Sequence, residues 1–324
     1  MAGVERPFAT SAAITAVAIG YSNPIASLIA DDVLPRLPVA GEKFKWTEYP
    51  IAENFTFPET LVGRTGRVNR VTFSGTEKTD AINDHGLEDA IPYSDIQEAD
   101  EMRRRGLGVF DPVLVATAGL TNLILLDREV RVAAIVQDPD NYPAGRNVVL
   151  SGSDKFSDYE GSDPITVLKA AFNGTVIFRP NTMSMSREVW SVLSSHPKIV
   201  NAIKGNVTGQ GIVSPAEFVQ LFSGEGLRKL AIGDGFVNRA RKGQVEEIAR
   251  VWGNSIQLTF IDPNIRPEQG GMTWGFTAEY GKRIGGSWED RNIGLQGGTV
   301  VRIGERVREV VVAREVGFQL RNVI

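Results

Sequence analysis

Ser194, Ser195 and His196 stand side by side in RPNTMSMSREVWSVLSSHPKIV, residues 179–200, and their types could supply a nucleophile and its base. That chemistry needs hydroxyl and imidazole to meet from separate positions, with a third group orienting the base. Adjacent residues do not provide this, and no G-x-S-x-G turn surrounds the serines. His196 precedes Pro197, so the expected role of the imidazole is to end the preceding helix by capping its last carbonyls. Trp190, one turn before Leu193, is expected in the core. GDGFVNRARKG, Gly233–Gly243, offers glycines after a strand but lacks both the G-x-G-x-x-G spacing and the Lys-Ser/Thr of a phosphate loop. Gly233 and Gly235 are expected to permit a turn with positive φ.

Three acidic groups could offer oxygens to calcium: Asp31 with Asp32, Glu98 with Asp100 and Glu101, and Asp138 with Asp140. None has the spacing of an EF-hand loop, and capping or solvation is the expected role. The absence of cysteine excludes thiolate catalysis, zinc–sulfur sites and disulfides. The two histidines, His85 and His196, lie too far apart in sequence to read as a metal pair. No catalytic residue, metal or cofactor is therefore expected. With 35 basic and 39 acidic residues the net charge is −4, which argues against broad coating of nucleic acid. The apolar patch Ala12–Ile19 is too short to span a bilayer and follows no basic segment, so a chain cytosolic at synthesis is expected.

The elements that would position these residues read as α+β. Asn23 and Pro24 open an expected helix to Leu34, and the rest of residues 1–42 reads as an extended arm with too little apolar surface for a core of its own. GEKFKWTEY alternates, placing Phe44 and Trp46 on one face of a strand. Val68, Val71 and Phe73 continue with strand residues. A charged stretch surrounds them, with Arg64, Arg67 and Arg70 in one half and Glu77, Lys78, Asp80, Asp84, Glu88 and Asp89 in the other. A hairpin so polar gains little by burial, and either solvation or opposite charges on a neighbouring chain would suit it.

Asp111 and Pro112 then start, and Asp138-Pro139 stops, a helix of about 26 residues, hence about 39 Å. One apolar face carries Val113, Ala116, Leu120, Leu123, Leu126, Val130 and Ala133, and a second carries Leu114, Ala118, Leu125 and Val132, so both flanks are expected to be covered. Further on come a strand at 147–150, a helix capped by Ser162 or Asp163 with Pro164, a strand at Thr175–Phe178 and a helix at Ser184–Leu193. A capped helix in SPAEFVQLFSG, strands in LRKLAIG and NSIQLTFID, and a strand-rich end follow. No internal repeat is visible.

Several phrases together resemble the major capsid proteins of tailed bacteriophages, the Hong Kong 97-type fold. NPIASLIADDVLPRLPV (23–39) running into GEKFKW is similar to the arm of a large subfamily, and FSDYEGSDPI (156–165) to the loop before a family helix. RPNTMSMSREVWSVLSSHPKIVNAIKG (179–205), LAIGDGFVNRARKGQVEEIARVWGNSIQLTFID (230–262) and VGFQLRNVI (316–324) resemble later family segments. The resemblance implies an N-terminal arm at 1–42, an extended loop at 43–95, and a peripheral domain at 96–173 with its spine helix about 112–137. An axial domain at 174–295 and C-terminal strands at 296–324 returning to the peripheral domain complete it. It implies a non-enzymatic subunit whose partners are copies of itself, in hexamers and pentamers of an icosahedral shell. Portal and scaffolding proteins would join during assembly, with room for a decoration protein. Packaged double-stranded DNA would be touched without sequence-specific contacts, and no membrane would be involved. The place implied is the virion, assembled in the host bacterial cytoplasm. The candidate contacts between subunits are Arg64, Arg67, Arg70, Glu77, Lys78, Asp80, Asp84 and Glu88.

No long extension precedes the arm, so a fused scaffold is not expected, and Lys78 reads as a solvated lysine rather than a cross-linking one. Such a subunit should have a radius of gyration of at least roughly 24 Å, against about 20 Å for a compact chain of this length. Its surface should exceed the ~13,000 Å² of a globular monomer. Competing readings are an encapsulin-like nanocompartment shell and a soluble α+β enzyme.

Overall fold

The computed structural model describes residues 9–10, 27–48, 55–72, 74–106, 111–205, 210–241, 243–262, 265 and 271–324. Its longest element is the spine helix. Asp111 accepts from the backbone N–H of Val113 and Leu114 at 3.0 and 3.3 Å, and Pro112 fills the first turn. The helix therefore begins where the sequence predicts, and it runs over Pro112–Gln137 until Pro139 forbids continuation.

Two sheets flank it. The six-stranded one contains β1 (Ala9–Thr10), β2 (Arg36–Pro38), β5 (Asn83–Pro92), β12 (Gly275–Glu279), β13 (Ile284–Asp290) and β14 (Gly298–Val311). Its order is β1-β13-β14-β12-β2, with β5 also paired to β14. The five-stranded sheet, in the order β6-β15-β11-β7-β8, contains β6 (Asn147–Val149), β7 (Thr182–Ser186), β8 (Lys229–Gly233), β11 (Ser255–Thr259) and β15 (Gly317–Arg321). Two hairpins stand apart: β3 (Lys43–Glu48) with β4 (Thr76–Ala81), and β9 (Phe236–Asn238) with β10 (Ile248–Arg250). In helix order, α1 is Ala30–Val33, α2 Tyr93–Arg104, α3 the spine helix, α4 Pro164–Asn173, α5 Arg187–Ser194, α6 Pro197–Lys204 and α7 Pro215–Leu221.

The largest core lies on the second sheet, where Met183, Met185, Ile256 and Leu258 meet Leu168, Phe172, Trp190, Leu193 and Phe218. Trp190 is buried as expected, edge-on to Phe218 at 5.4 Å. A separate core joins Ile91, Val301 and Ile303 of the first sheet to Leu120 and Ile124 of α3.

Several expectations change. Spine helix α3 buries one stripe of its own chain: Thr117, Leu120, Thr121, Ile124, Arg128, Glu129, Val132, Ala133 and Val136. Leu123 is 52% exposed and Leu114 48%, so neither apolar face predicted for the helix is covered along its length within the subunit. The helix predicted at Pro24–Leu34 starts only at Ala30 in the described residues, with Asn23 and Pro24 outside them. The arm is not wholly dependent on other chains. Ile29, Ala30, Val33 and Leu34 pack on Val132, Ala133 and Val136 of their own spine helix.

Val68 and Val71 are exposed and lie in no strand, while Phe73 is outside the described residues. The acidic stretch of the expected hairpin forms β4 and β5, and β3 and β14 supply the ladders for them. Thr175–Phe178 bends rather than extends, with Ile177 at φ 72°. Ser184 belongs to β7, and the helix starts after Ser186, whose hydroxyl accepts from the Val189 N–H. Position in the middle of a sheet, between β11 and β8, overrides the helical periodicity there.

Gly233 and Gly235 do not have positive φ. A Cβ on Gly233 would lie 2.1 Å from Cδ1 of the buried Trp252, and one on Gly235 would lie 3.1 Å from Leu28 Cδ2. Close approach to Trp252, not backbone handedness, is what requires glycine at 233, while at 235 the contact is tight but with the movable end of a leucine.

The sheets also cross the implied boundaries. Strands β12 and β13 of the segment 174–295 lie in the first sheet, and β15 of the segment 296–324 pairs in the second with β11 and with β6 of the segment 96–173. Hydrogen-bond partners of high sequence separation decide this, and they leave no mark in the linear order. Accessible surface is 19050 Å², well above the ~13,000 Å² of a compact monomer. Every described residue from 55 to 72 is exposed.

Candidate functional site

His196 is fully buried and caps the start of α6, the next helix, instead of ending α5. The backbone N–H of Lys198 donates to His196 Nδ1 at 3.2 Å, so Nδ1 carries no proton. The ring's proton is then on Nε2, 3.0 Å from Ser162 Oγ, and that hydroxyl donates to the Asp158 carbonyl at 2.6 Å. Imidazole is thus the donor toward serine, the reverse of what a general base requires. Ser194 and Ser195 both donate to the Ser191 carbonyl, and Ser195 Oγ also meets the Tyr159 hydroxyl at 3.1 Å. Tyr159 stands edge-on to the imidazole, with centroids 5.3 Å apart.

Burial, and then the charge of Lys198, lower the His196 pKa below its ordinary 6.5, while Asp163 opposes them. The unfolded chain therefore takes up this proton first as pH falls. The contribution of neutral His196 should be complete above pH 6.5. It should diminish as pH drops from there through the folded value, where the native imidazole also protonates. Urea midpoints of the parent and His196→Gln between pH 7.5 and 5 should show the parent losing stability more steeply. Parallel curves would refute the assignment.

The acidic clusters also have structural duties. Asp138 caps the turn after α3, accepting from Asp140 N–H at 3.0 Å. Asp32 pairs with Lys229 at 2.6 Å, Asp100 with Arg103, and Glu101 with Arg105.

The candidate contact residues divide into two sets. Glu77 pairs with Lys45 across the β3–β4 hairpin at 2.6 Å. Glu88 meets Arg302 at 2.7 Å, Asp84 meets Arg306 at 2.8 Å, and Asp80 meets Arg308 at 2.8 Å. Glu88 faces Arg302 and Asp84 faces Arg306 directly in the antiparallel ladder, so these charges set the register of β5 on β14 of the same chain. Within one chain, therefore, Asp80, Asp84 and Glu88 already have basic partners. The arginines were missed, although Arg302 and Arg306 repeat the four-residue spacing of Asp84 and Glu88, a signal legible in both strands. Lys78 is exposed on β4, opposite Trp46. Arg64, Arg67 and Arg70 are exposed in the loop and make no ion pair among the described residues.

Beneath this stem lies a charge cluster that sequence reasoning did not find. Arg36 of β2 reaches Glu279 and Glu305 at 2.8 Å each. Arg128 of α3, buried at 1% side-chain exposure, holds Asp31 at 2.5 Å and donates to the Leu34 carbonyl and Thr277 Oγ1. Burial, then the neighbouring Arg36, pull its pKa below the ordinary value, while Asp31 and Glu305 work against them. Arg131 meets Glu309 at 2.6 Å. Beside Arg128 on the buried stripe of α3, Glu129 accepts from the N–H groups of Ile29 and Ala30 at 2.9 and 2.7 Å and from Trp252 Nε1 at 2.6 Å. Burial holds its pKa above the ordinary carboxylate value although these three donors lower it. These groups fasten the arm, the spine helix, the first sheet and Trp252 together. They offer no vacant nucleophile or base.

A long helix over two sheets, an exposed loop on a strand stem and an arm pinned to the helix describe a structural subunit with projecting parts. Comparison with known proteins agrees. No protein-family model matches the chain. It is 40% identical over 320 residues to the major capsid protein of Pseudomonas phage JBD67, covering 99% of each. The chain belongs to the major capsid proteins of phages, which form the head shell. Among solved structures, a phage-related protein of Bordetella bronchiseptica RB50 aligns over 98% of this chain and 99% of its own, with TM-score 0.73 and 20% identity. The capsid of cyanophage P-SCSP1u aligns over 99% and 91%, with TM-score 0.59 and 11% identity. Both share the fold, which is the Hong Kong 97-type α+β fold.

Proposed function

We propose that copies of this chain assemble as hexamers and pentamers into the icosahedral head of a tailed phage, around packaged double-stranded DNA. The carrying observation is the segment 55–72. It is exposed throughout, holds Phe57 at 98% and Leu61 at 83% exposure, and keeps three arginines without ion pairs among the described residues. A loop of this composition has no stable resting place on its own subunit, so its ordering is linked to assembly. The stem ion pairs on β14 aim it, while Arg64, Arg67 and Arg70 remain for acidic groups of the adjacent copy. A net charge of −4 suits a wall that encloses DNA without gripping its phosphates.

In this reading the arm, the loop with its stem and the two lobes act as separate contact units. Assembly takes place in the host cytoplasm with portal and scaffolding proteins, and leaves the outer face open to a decoration protein. The shell has no catalytic duty. Hydrolase activity lost on Ser195→Ala would contradict that.

Electron microscopy of purified protein should show closed particles, with nucleic acid rather than a cargo protein inside those made during infection. Reversal of Arg64, Arg67 and Arg70 to glutamate should abolish particles while circular dichroism and the thermal midpoint of the monomer stay unchanged. Normal particles from that variant at low and moderate salt would refute the contact.

A further inference from the structure

The second hairpin is a different kind of projection. Strands β9 and β10 pair over only three positions, and among the described residues no third strand joins them. Its base is well held: Arg250 binds Asp234 at 2.5 Å and Glu188 at 2.9 Å and covers the Phe236 ring at 4.6 Å. Towards the tip that support ends. Val245 is 92% exposed and Ile248 59%. An open groove of about 510 Å³, lined by Ala133, Ala134 and Gln137 of α3 and by Val237 and Arg239, separates the hairpin from the spine helix. A two-stranded ribbon of this size is marginal in water and needs a surface to lie against.

Charge indicates which surface. The outgoing limb carries Arg239 and Arg241, and the returning limb carries Glu246 and Glu247, all exposed. Among the described residues none of the four forms an ion pair, even though Arg239 N–H bonds the Glu247 carbonyl across the ladder. The long loop's stem behaves otherwise, since Asp80, Asp84 and Glu88 are consumed by β14 and Glu77 by Lys45. One hairpin thus presents a basic edge and an acidic edge, each complementary to the other edge of an identical hairpin.

We propose that the 236–250 hairpin is a second subunit-contact element whose partner is the same hairpin of an adjacent copy. Arg239 and Arg241 of one copy face Glu246 and Glu247 of the next, while Val245 and Ile248 bury against the neighbour. Such a contact is head-to-tail, and repeated by rotation it closes into a ring. The proposal rests on the shell reading above, and it adds an interface independent of the long loop.

Charge reversal and charge exchange test it, with sedimentation and electron microscopy counting rings and particles at about 0.1 M salt, where the Debye length is about 10 Å. Arg239→Glu with Arg241→Glu should lower the assembled fraction at least about tenfold, since facing like charges cost more than the ~1.4 kcal/mol that a factor of ten represents. Glu246→Lys with Glu247→Lys should do the same. All four substitutions together exchange the edges and should restore assembly to within about twofold of the parent, a rescue that misfolding would not give. If the parent assembles and both double variants assemble equally well, or the fourfold variant fails as they do, the hairpin contact is overturned and the shell reading stands. A parent that remains monomeric at every concentration would overturn both.

Discussion

Glu129→Ala should destabilise the subunit by about 3–5 kcal/mol, since removing the acceptor from a buried donor costs about 1–3 kcal/mol and three donors lose theirs together. The Ile29 and Ala30 N–H groups and Trp252 Nε1 all end on this one carboxylate. Alanine supplies no oxygen, and the site is too enclosed for the backbone to turn elsewhere. Against a typical total of about 5–15 kcal/mol, such a loss is a third or more of the stability of many domains. Glu129→Gln should cost less, because its one carbonyl oxygen can still serve Ile29 and Trp252 while its amide opposes the Ala30 N–H. Urea denaturation gives the ordering, and hydrogen exchange at Ile29 and Ala30 locates the effect. An alanine variant within about 1 kcal/mol of the parent, with those two amides still protected, would show that Glu129 does not hold the arm.

Ile124→Asp should unfold the subunit or cost at least about 4 kcal/mol, while Leu123→Asp, one residue away, should change the free monomer by no more than about 0.5 kcal/mol. Ile124 is 3% exposed and packs with Leu120, Ile91, Val301 and Ile303, a pocket with no partner for a carboxylate. Leu123 is on the open side of the same helix. The shell gives this pair a second use. If a neighbouring copy covers the outer side of the spine, Leu123→Asp will leave the monomer midpoint alone and still lower particle yield. Loss of monomer stability with Leu123→Asp equal to that of Ile124→Asp would mean the helix is buried on both sides within one chain.

The spine helix shows how far sequence carries. Asp111, Pro112 and Pro139 act through the backbone within one turn, so both ends of α3 were legible from local chemistry alone. The capped start in SPAEFVQLFSG was legible for the same reason, as was the start at Pro164, where the sequence left Ser162 or Asp163 as the cap and the structure uses Asp163. The phrase matches placed the chain in its family. The Glu217–Ser214 capping box is complete, with each side chain bonded to the other's backbone. What could not be read was which side of α3 faces inward. Counting apolar residues favours Leu123, yet the buried stripe includes Arg128 and Glu129. Their burial is possible only because Asp31, Leu34, Thr277, Trp252 and the arm amides arrive from about 100 or more positions away to satisfy them.

Local sequence determined where backbone hydrogen bonding starts and stops, since caps and prolines act on neighbours. It also determined that no thiolate or cysteine-bound metal operates, since the residue type is absent. Tertiary structure decided the rest. It spent Asp80, Asp84 and Glu88 on β14 of their own chain, and it turned His196 from a supposed helix stop into a buried helix start. It required Gly233 for the sake of Trp252, and it left Arg64, Arg67 and Arg70 outside. The reason is common to all four outcomes. A residue has no fixed role until its neighbour is fixed, and these neighbours are set by sheet register and packing across the whole chain.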